Sequence, residues 1–365
     1  MRRILIISRY FYPEMSPRAH RTTELAKELD RIGMDVEVVL PETDYDYSEF
    51  LNNTNIRLSF YGAVRNGPIK LGKGKLGIFF SRVIFRLLNL LVDYPNGQLL
   101  LKVKRFLKGR KGYDLIISIA QPHPIHWGVA AARRRNPDLT KLWVADCGDP
   151  FSGTKTDTFR ILPHLRRMEN RAFDQADFIT VPIPGAVPAY HPRFHSRIHI
   201  IPQGFQFRDL PEVKPDSDTV TPSFAYSGAF IMGFRDPRNF LDYLLGLEMD
   251  YRFYIFTRHG YMIKSYVEKS KGRIVLKEYV PRDTLVSNLK SMDFLVNIDN
   301  NTGIHSPSKL IDYIQTGRPV LNVENKLNKA AADGFMKGDY SKKMDLPDIE
   351  YYDIRNIAQQ FLSLR

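Results

Sequence analysis

The chain has 365 residues, of which 43% are hydrophobic and 25% are charged, and a formal net charge of +13. This composition is typical of a soluble globular protein and excludes a fibrous or intrinsically disordered chain, while the length suits two domains of ordinary size. Because the chain has one cysteine, Cys147, we expect neither a disulfide framework nor a thiolate metal site, and we expect a cytoplasmic location.

The first half of the chain alternates short apolar runs with helical patterns, and its first apolar run is too short for a signal peptide. Leu25, Leu29 and Ile32 repeat at helical spacing, which predicts a helix after the first strand. This alternation is typical of a parallel sheet covered by helices on both faces. The strands predicted in this half are 3–8, 35–40, 56–61, 113–120, 141–146, 177–182 and 197–202.

Basic residues concentrate in the segment 65–111, where twelve Lys or Arg accompany a single acid, Asp93. Within it, residues 75–111 predict two amphipathic helices with wide apolar faces and basic flanks, as in helices that lie in a membrane interface. The first helix is too short and too charged for a comfortable transmembrane span. The alternative is that both helices only cover the sheet. We expect an anionic membrane surface to be the partner, and no nucleic acid, because no nucleic-acid fold motif is present.

A segment rich in proline and polar residues, 202–222, interrupts the alternation as a linker would. We predict an N-terminal domain at 1–205, a linker at 206–222, a second domain at 223–345 and a terminal helix within 346–365 that packs back across the domains. The strands predicted after the linker are 223–228, 251–257, 273–277, 293–299 and 319–323.

The segment HSPSKLIDYIQTGRPVL, residues 305–321, predicts a helix that begins near Ser306 and is closed by a Gly-x-Pro sequence. Its first turn carries Lys309, whose positive charge is unfavourable at the positive end of a helix dipole unless an anion binds there. Ser306, Ser308 and Lys309 could hold a diphosphate at such a helix end, and Asp312 could hold a ribose. The alternative is a capped surface helix on which Lys309 pairs with Asp312.

This segment resembles the donor-site signature of family-4 glycosyltransferases through Asp312, Gly317, Pro319 and Val320. The resemblance implies the GT-B fold, an α/β architecture of two facing Rossmann-like, doubly wound domains with a cleft between them. Further segments resemble the family in the same order along the chain, namely Pro13 with 25–39, 143–151, 168–181, 200–205 and 279–297.

The resemblance implies a metal-independent hexosyltransferase that binds a nucleotide sugar mainly through the second domain. It places the base near Tyr279 and Val280, and it assigns Gly228 and Arg235 to the loop that binds the diphosphate. The alternative for Arg235 is a solvated loop charge. The sequence departs from the family pattern at Ile304, at Ala229 and, within the acceptor-side loop of Ser16, Pro17 and Arg18, at the Ser16-Pro17 pair.

Candidates for the catalytic group near the acceptor hydroxyl are His123, His126 and Asp149, which follow predicted strands at their carboxyl ends. A histidine there could position or deprotonate a hydroxyl near neutral pH. The alternative for His126, beside Trp127 on a helix, is that it packs in the core. Because no HExxH sequence, cysteine cluster or acidic triad is present, we expect no metal, and the nucleotide sugar is expected as substrate without a further cofactor.

The sequence therefore predicts a peripheral membrane glycosyltransferase of polysaccharide biosynthesis. Its expected reaction moves a sugar from an NDP-sugar, with UDP or GDP as the nucleotide, to a lipid-linked saccharide or polysaccharide precursor, and the resemblance adds retention of configuration. Two alternatives stay open: a non-catalytic transferase-like binding subunit, and a nucleotide-sugar epimerase of the same architecture.

Overall fold

The computed structural model describes residues 1–65, 67, 74–153, 161–207, 221–233, 235–278, 280–299, 309–324 and 326–365, with the backbone alone at 75, 76, 283 and 309. The chain divides into two compact units, each with its own parallel sheet. The first unit comprises Met1–Gln206 and Tyr352–Arg365, and the second comprises Phe207–Tyr351.

The first unit is built on seven parallel strands. In chain order they are β1 (Arg3–Ile7), β2 (Asp35–Leu40), β3 (Arg57–Phe60), β4 (Tyr113–Ala120), β5 (Thr140–Cys147), β6 (Phe178–Val181) and β7 (Ile198–Ile200). In space they lie in the order β3-β2-β1-β4-β5-β6-β7, so β1 pairs with both β2 and β4. The central strands are nearly continuous apolar runs, as expected for parallel strands that are buried on both faces.

Helices cover both faces of this sheet. Helix α1 begins where the Ser16 hydroxyl accepts a hydrogen bond from the Ala19 N–H at 3.3 Å, and Pro17 occupies its first position. The helices are α1 (Pro17–Arg31), α2 (Ser48–Asn52), α3 (Lys75–Val92), α4 (Gln98–Phe106), α5 (Pro124–Arg133) and α6 (Pro163–Phe173), with 3₁₀ segments at Pro137–Leu139, Pro184–Ala189 and Pro192–Arg197.

The second unit is built on five parallel strands, β8 (Ser223–Ser227), β9 (Arg252–Phe256), β10 (Ile274–Lys277), β11 (Phe294–Ile298) and β12 (Val320–Val323). They lie in the order β10-β9-β8-β11-β12. The Phe224 ring stacks on Phe253 and Phe294 of the neighbouring strands, with centroids 4.8 and 4.5 Å away. The helices are α7 (Arg238–Leu245), α8 (Lys264–Lys269), α9 (Arg282–Lys290), α10 (Lys309–Thr316) and α11 (Lys329–Met336), with 3₁₀ segments at Gly260–Ile263 and Ile349–Tyr352.

The last helix, α12 (Ile354–Ser363), belongs to the first unit. Its N-cap, Asp353, accepts a hydrogen bond from the Arg355 N–H at 2.8 Å. Ile357 and Phe361 are buried in the apolar core that also contains residues of α1. The chain therefore completes the core of its first unit with its final helix.

All twelve predicted strands are present, with ends that differ by at most two residues from the prediction. The predicted α/β class with two parallel sheets is confirmed. The helix predicted from Ser306 is described from Lys309 onward, as α10, because residues 300–308 lie outside the described part of the chain. Most of the predicted linker, residues 208–220, also lies outside it.

A buried ion pair joins α1 to the end of β5. Arg21 donates to Asp146 through Nε at 3.1 Å and through Nη2 at 2.8 Å, and both side chains are almost completely buried. Arg21 also donates to the carbonyl oxygens of Ile201 and Pro202, after β7, and Thr180 of β6 donates to Asp146 at 2.7 Å. Although burial alone would raise it, the pKa of Asp146 is held below its ordinary value by the Arg21 guanidinium.

Asp93 ends α3 in a left-handed conformation with φ of 53°. Burial raises the pKa of its carboxyl group to about 6, although a hydrogen bond from Asn96 and the charge of Arg9 oppose the rise. A raised folded-state pKa means that ionisation of Asp93 destabilises the fold. The contribution of Asp93 to stability is therefore fully present below its unfolded-state pKa of 3.8 and is lost as the pH rises through about 6.

We expect Arg21→Met to lower the free energy of unfolding of the first unit by about 3–5 kcal/mol, because it leaves the Asp146 carboxylate buried without its counter-ion. Urea unfolding followed by tryptophan fluorescence measures this unit specifically, since both tryptophans, Trp127 and Trp143, belong to it. Arg31→Met in the same helix is the control, because the Arg31 guanidinium is largely exposed, although its partner Glu28 is buried, and its loss should destabilise the unit less than the loss of the buried Arg21. Equal effects of the two variants would contradict this account.

We expect Asp93→Asn to stabilise the first unit by roughly 2 to 3 kcal/mol at pH 8 and to have little effect at pH 4. Asparagine keeps the side-chain shape, tolerates the left-handed backbone and carries no charge to desolvate. Urea unfolding of both proteins between pH 4 and pH 8, again by tryptophan fluorescence, gives the difference at each pH. A difference that is constant across this range would show that Asp93 is not the titrating group.

Candidate functional site

The loop after β8 holds the first group of predicted donor-site residues. Gly228 follows the strand with φ of 143°, a conformation that glycine adopts readily, and its N–H donates to the Phe256 carbonyl at 3.0 Å. A backbone bridge between Ile231 and Arg235 folds the loop back on itself. The structure thus brings Gly228 and Arg235 to the carboxyl edge of the second sheet, where open α/β sheets bind ligands.

The Arg235 side chain is partly buried, whereas the alternative interpretation of this residue was a loop charge in solvent. Its Nε lies out of contact with solvent and has no hydrogen-bond acceptor among the described residues. Most buried polar groups have a partner, so this N–H is a candidate ligand for an anion that the protein binds. A guanidinium suits a diphosphate because its N–H groups can hold two oxygens at once.

Helix α10 is held in place by Tyr313, a residue that the sequence reasoning missed. The Tyr313 hydroxyl accepts a hydrogen bond from the Ser227 N–H at 2.8 Å and donates to the Val296 carbonyl at 3.0 Å. Because Tyr313 is fully buried, these bonds fix the helix against the end of β8 and the middle of β11. In the sequence, the feature that could have indicated this role is a tyrosine, an aromatic residue with a polar hydroxyl, on the apolar side of an amphipathic helix.

Asp312 has a partner that the sequence did not indicate. Its carboxylate accepts a hydrogen bond from the Arg282 Nε at 2.6 Å, which joins α10 to α9. Val280, in the loop before α9, is partly buried against the apolar cluster under α10. The roles of Asp312 toward a ribose and of Val280 toward a base stay predictions. Tyr279, Ser306 and Ser308 and the side chain of Lys309 lie outside what the structure describes.

The acceptor-side loop of the first unit leads into α1. Ser16 caps this helix and Pro17 begins it, so both have structural roles. The Arg18 guanidinium lies 3.4 Å from the Gln203 side-chain oxygen and 3.8 Å from Asp146, and burial lowers its pKa. A Cβ atom at Gly148 would lie 2.4 Å from the Arg18 Cζ, so glycine is required there for the guanidinium to fit.

The two candidate histidines lie in the core of the first unit. His123 is 2% exposed and its Nε2 hydrogen-bonds the Asp149 carbonyl at 2.9 Å, while His126 is 1% exposed and its Nδ1 lies 2.7 Å from the Ser118 hydroxyl. Burial lowers the pKa of His123 to about 4 and the pKa of His126 well below its usual range, so both rings are neutral at pH 7.

This position matches the core-packing alternative for His126. Among the three catalytic candidates, only Asp149 has a side chain that is partly exposed. It follows β5 at the same edge of the sheet as Arg18. The catalytic roles of all three residues stay predictions.

A cavity of about 370 Å³ lies at the carboxyl ends of β1 and β2, and the sequence reasoning did not find it. Aromatic rings form much of its wall, and carboxylates lie beside them. Such a lining suits a ligand with both apolar faces and hydroxyl groups. The aromatic and charged residues of the lining are Arg9, Tyr10, Phe11, Tyr12, Glu14, Glu42, Asp44, Tyr45 and Tyr47.

Helix α3 leaves a wide apolar face exposed, which we call the apolar face of α3. Phe79 and Phe80 are the most exposed of its members, and Arg82 and Arg86 on the same helix are also exposed. Contiguous apolar surface of this kind marks an interaction site. Within the described residues, no helix has both the length and the apolar character to cross a membrane. The face consists of Phe79, Phe80, Val83, Leu87 and Leu91, while Ile78 and Val92 are exposed on the other side of the helix.

The turn between α3 and α4 contacts the lining of the cavity. Arg9, which lines it, donates a hydrogen bond to the Asn96 side chain in this turn. The side chain of Gln98, at the start of α4, donates to the Arg65 carbonyl at 3.0 Å and accepts from the Arg65 N–H at 3.2 Å. The basic helical segment and the cavity are therefore neighbours in one unit.

Comparisons with known proteins identify the fold. No protein-family model matches the chain, and no curated protein matches it. Solved structures match over nearly the whole length. The lipopolysaccharide outer core galactosyltransferase WaaB is 12% identical with a TM-score of 0.59, and the match covers 98% of this chain and 95% of WaaB.

Two further structures agree. HepE from Anabaena, solved in complex with UDP-glucose, is 11% identical with a TM-score of 0.59, over 99% of this chain and 98% of HepE. TarM is 10% identical with a TM-score of 0.61, over 100% of this chain and 98% of TarM. At these identities the likeness shows the fold, and the chain has the GT-B fold of glycosyltransferases.

Proposed function

We propose that the protein is a glycosyltransferase that moves a hexosyl group from a UDP- or GDP-sugar to a lipid-linked saccharide or polysaccharide precursor at a membrane surface, with retention of configuration. The observation that carries this proposal is the buried Nε of Arg235, which has no acceptor among the described residues and lies at the carboxyl edge of the second sheet of a GT-B fold. Among the structures with this fold, HepE binds UDP-glucose and WaaB is a galactosyltransferase.

The donor diphosphate would lie against Arg235, Gly228 and the beginning of α10. Departure of the nucleotide leaves negative charge on the diphosphate, and a guanidinium together with a helix N-terminus stabilises that charge. Lys309, the first residue of α10, would add a second cation. Since the leaving group is already attached to the sugar and its charge is met by protein groups, the transfer requires neither an organic cofactor nor a catalytic metal.

The acceptor saccharide would bind in the cavity at the ends of β1 and β2. Its tyrosines offer apolar faces for sugar rings, and its carboxylates Glu14, Glu42 and Asp44 accept hydrogen bonds from hydroxyls. Asp149 and Arg18, at the same edge of the sheet, are the candidates for orienting the reacting hydroxyl.

Membrane contact would come from the apolar face of α3 and the basic residues around it. An exposed apolar face beside arginines binds an anionic bilayer surface through both hydrophobic burial and charge attraction. The Arg9–Asn96 hydrogen bond connects this region to the acceptor cavity. A lipid-linked acceptor fits that arrangement, because its lipid can stay in the bilayer while its saccharide enters the cavity.

We expect Arg235→Gln to weaken UDP binding about 10- to 100-fold, the effect of losing a charge-assisted hydrogen bond to a diphosphate. Binding of uridine, which lacks the diphosphate, should change little. Isothermal titration calorimetry with UDP, GDP and uridine measures both effects. Arg238→Gln is the matched control, since Arg238 is exposed in the same region and pairs with Asp236.

The proposal fails at the donor site if none of these nucleotides or their sugar conjugates binds, or if Arg235→Gln weakens UDP and uridine equally. UDP-sugar binding without transfer to any saccharide acceptor would favour the non-catalytic binding subunit. Conversion of the sugar nucleotide itself, without an acceptor, would favour the epimerase.

We expect the wild-type protein to float with anionic phospholipid vesicles and much less with neutral ones. The double variant Phe79→Ser/Phe80→Ser should lower the apparent affinity for anionic vesicles at least about tenfold, because two exposed rings no longer enter the bilayer. Tyr261→Ser is the control, because Tyr261 is 76% exposed on the second unit, outside the basic segment. Absence of wild-type binding, or equal flotation of the double variant, would remove the membrane from the proposal.

A further inference from the structure

Three metal-ligating side chains meet in the core of the first unit, beneath the carboxyl ends of β4 and β5. Cys147 is the last residue of β5, while His126 lies in the first turn of α5 and His123 is its N-cap. All three are buried, and one ligand atom from each lies within 4.8 Å of the other two. The nucleotide-sugar proposal uses neither Cys147 nor His126, so this cluster needs its own explanation.

The protonation of His123 follows from its one hydrogen bond. A backbone carbonyl only accepts, so the ring nitrogen that faces the Asp149 carbonyl at 2.9 Å, Nε2, carries the proton. In the neutral ring the lone pair is then on Nδ1. That atom is buried and has no hydrogen-bond partner in the part of the chain that the structure describes. A buried lone pair of this kind is a ligand position that the protein itself does not fill.

His126 is oriented as a metal-binding histidine would be. The Ser118 hydroxyl accepts a hydrogen bond from the Trp143 indole N–H at 2.8 Å and lies 2.7 Å from the His126 Nδ1. In the Nδ1–H tautomer of His126, the one that a metal at Nε2 requires, this hydroxyl accepts the Nδ1 proton with its second lone pair and the Nε2 lone pair is directed at Cys147. Metal-ligating histidines usually donate their other ring N–H to an oxygen in this way, which fixes the ring.

The spacing between His126 and Cys147 also suits a metal. His126 Nε2 lies 3.5 Å from the Cys147 Sγ. Ligand distances of roughly 2.0–2.1 Å to nitrogen and about 2.3 Å to sulfur, at a tetrahedral angle, place the two ligand atoms about 3.6 Å apart. The Tyr190 hydroxyl interacts with the Cys147 sulfur and, within the described residues, forms no hydrogen bond of ordinary geometry. It is placed to donate to a thiolate or to occupy a fourth position.

We propose that His123, His126 and Cys147 form a buried binding site for a d¹⁰ cation, Zn²⁺ or Cu⁺. Two imidazoles and one thiolate are the ligands that both ions prefer. Binding replaces the thiol proton, which is released to solvent, by a metal–sulfur bond, while both imidazoles bind through existing lone pairs. The metal would stabilise the turn that bears Asp149, because His123 also hydrogen-bonds the carbonyl of that residue.

A metal bound here would contradict the expectation that one cysteine excludes a thiolate metal site. A site with a single thiolate needs only one cysteine, provided that histidines supply the other ligands. The proposed metal is structural, so the inference agrees with a metal-independent transfer and does not depend on the proposed function.

The test uses the full chain, freed of metal with a chelator and titrated with Co²⁺ as a spectroscopic probe for Zn²⁺. We expect about one equivalent of Co²⁺ to bind, with a thiolate-to-cobalt charge-transfer band that Zn²⁺ then removes. Because Cys147 is the one cysteine of the chain, such a band can arise only from its sulfur. In a second arm, competition with a colorimetric Cu⁺ chelator under reducing conditions shows whether Cu⁺ is the ion that binds more tightly.

Variants assign the ligands. Cys147→Ser should abolish the band, and His123→Gln and His126→Gln should each weaken Co²⁺ binding at least tenfold, whereas His199→Gln, at an exposed position on β7, should leave it unchanged. Circular dichroism and tryptophan fluorescence confirm that each variant is folded. The proposal is wrong if the folded wild type binds neither probe stoichiometrically, or if the band and affinity survive in the folded Cys147→Ser and His126→Gln proteins.

Discussion

The first unit depends on the ion pair between Arg21 and Asp146. Each charge would be costly to bury alone, so the pair is stable only because its two hydrogen bonds are nearly ideal and its remaining polar atoms are bonded to Thr180 and to the carbonyls after β7. The Arg21 guanidinium also lies over the Phe361 ring of α12, 4.9 Å from its centroid. One buried contact thus connects the first helix, three strands and the final helix.

The Arg21–Asp146 ion pair also positions residues at the carboxyl edge of the first sheet, where we propose that the acceptor binds. Arg18 is one turn before Arg21 on α1, so fixing the helix at Asp146 directs Arg18 toward Gln203 and the same carboxylate. Gly148, two residues beyond Asp146, leaves the space that the guanidinium occupies. The residues after β1 and β5 are therefore ordered by a structural ion pair rather than by contacts among themselves.

The sequence predicted the strands well because buried parallel strands are short, nearly continuous apolar runs, whose ends are marked by polar, glycine or proline residues. It could not predict contacts between distant residues. Nothing near Asp312 indicates Arg282, and nothing near His126 indicates Cys147, because each partner lies on another element and only the fold brings the two together. Local pattern gives the type of an element, whereas tertiary packing determines its partners.

The amphipathic pattern of α3 shows a second limit of prediction from sequence. Periodicity predicted a helix with a wide apolar face, and the structure contains that helix. Periodicity does not say whether an apolar face points to the sheet or to solvent, since both choices give the same spacing. Phe79 and Phe80 proved to be exposed, while the next residue, Ser81, is buried. The proposal of membrane contact therefore depends on the fold as much as on the sequence.

The buried position of His123 changes how its chemistry should be understood. A neutral ring whose Nε2 is bonded to the Asp149 carbonyl, and whose Nδ1 is buried in the core, presents no accessible nitrogen to an acceptor hydroxyl. Its effect on catalysis would then be indirect, through the position of the Asp149 backbone and hence of its carboxylate. In that case a cation bound at Nδ1 would fix the ring, and the ring would fix the turn. The metal would then order the turn that bears Asp149 without contacting substrate. Groups outside the first coordination shell of other metal sites similarly position the residues that bind the metal or the substrate.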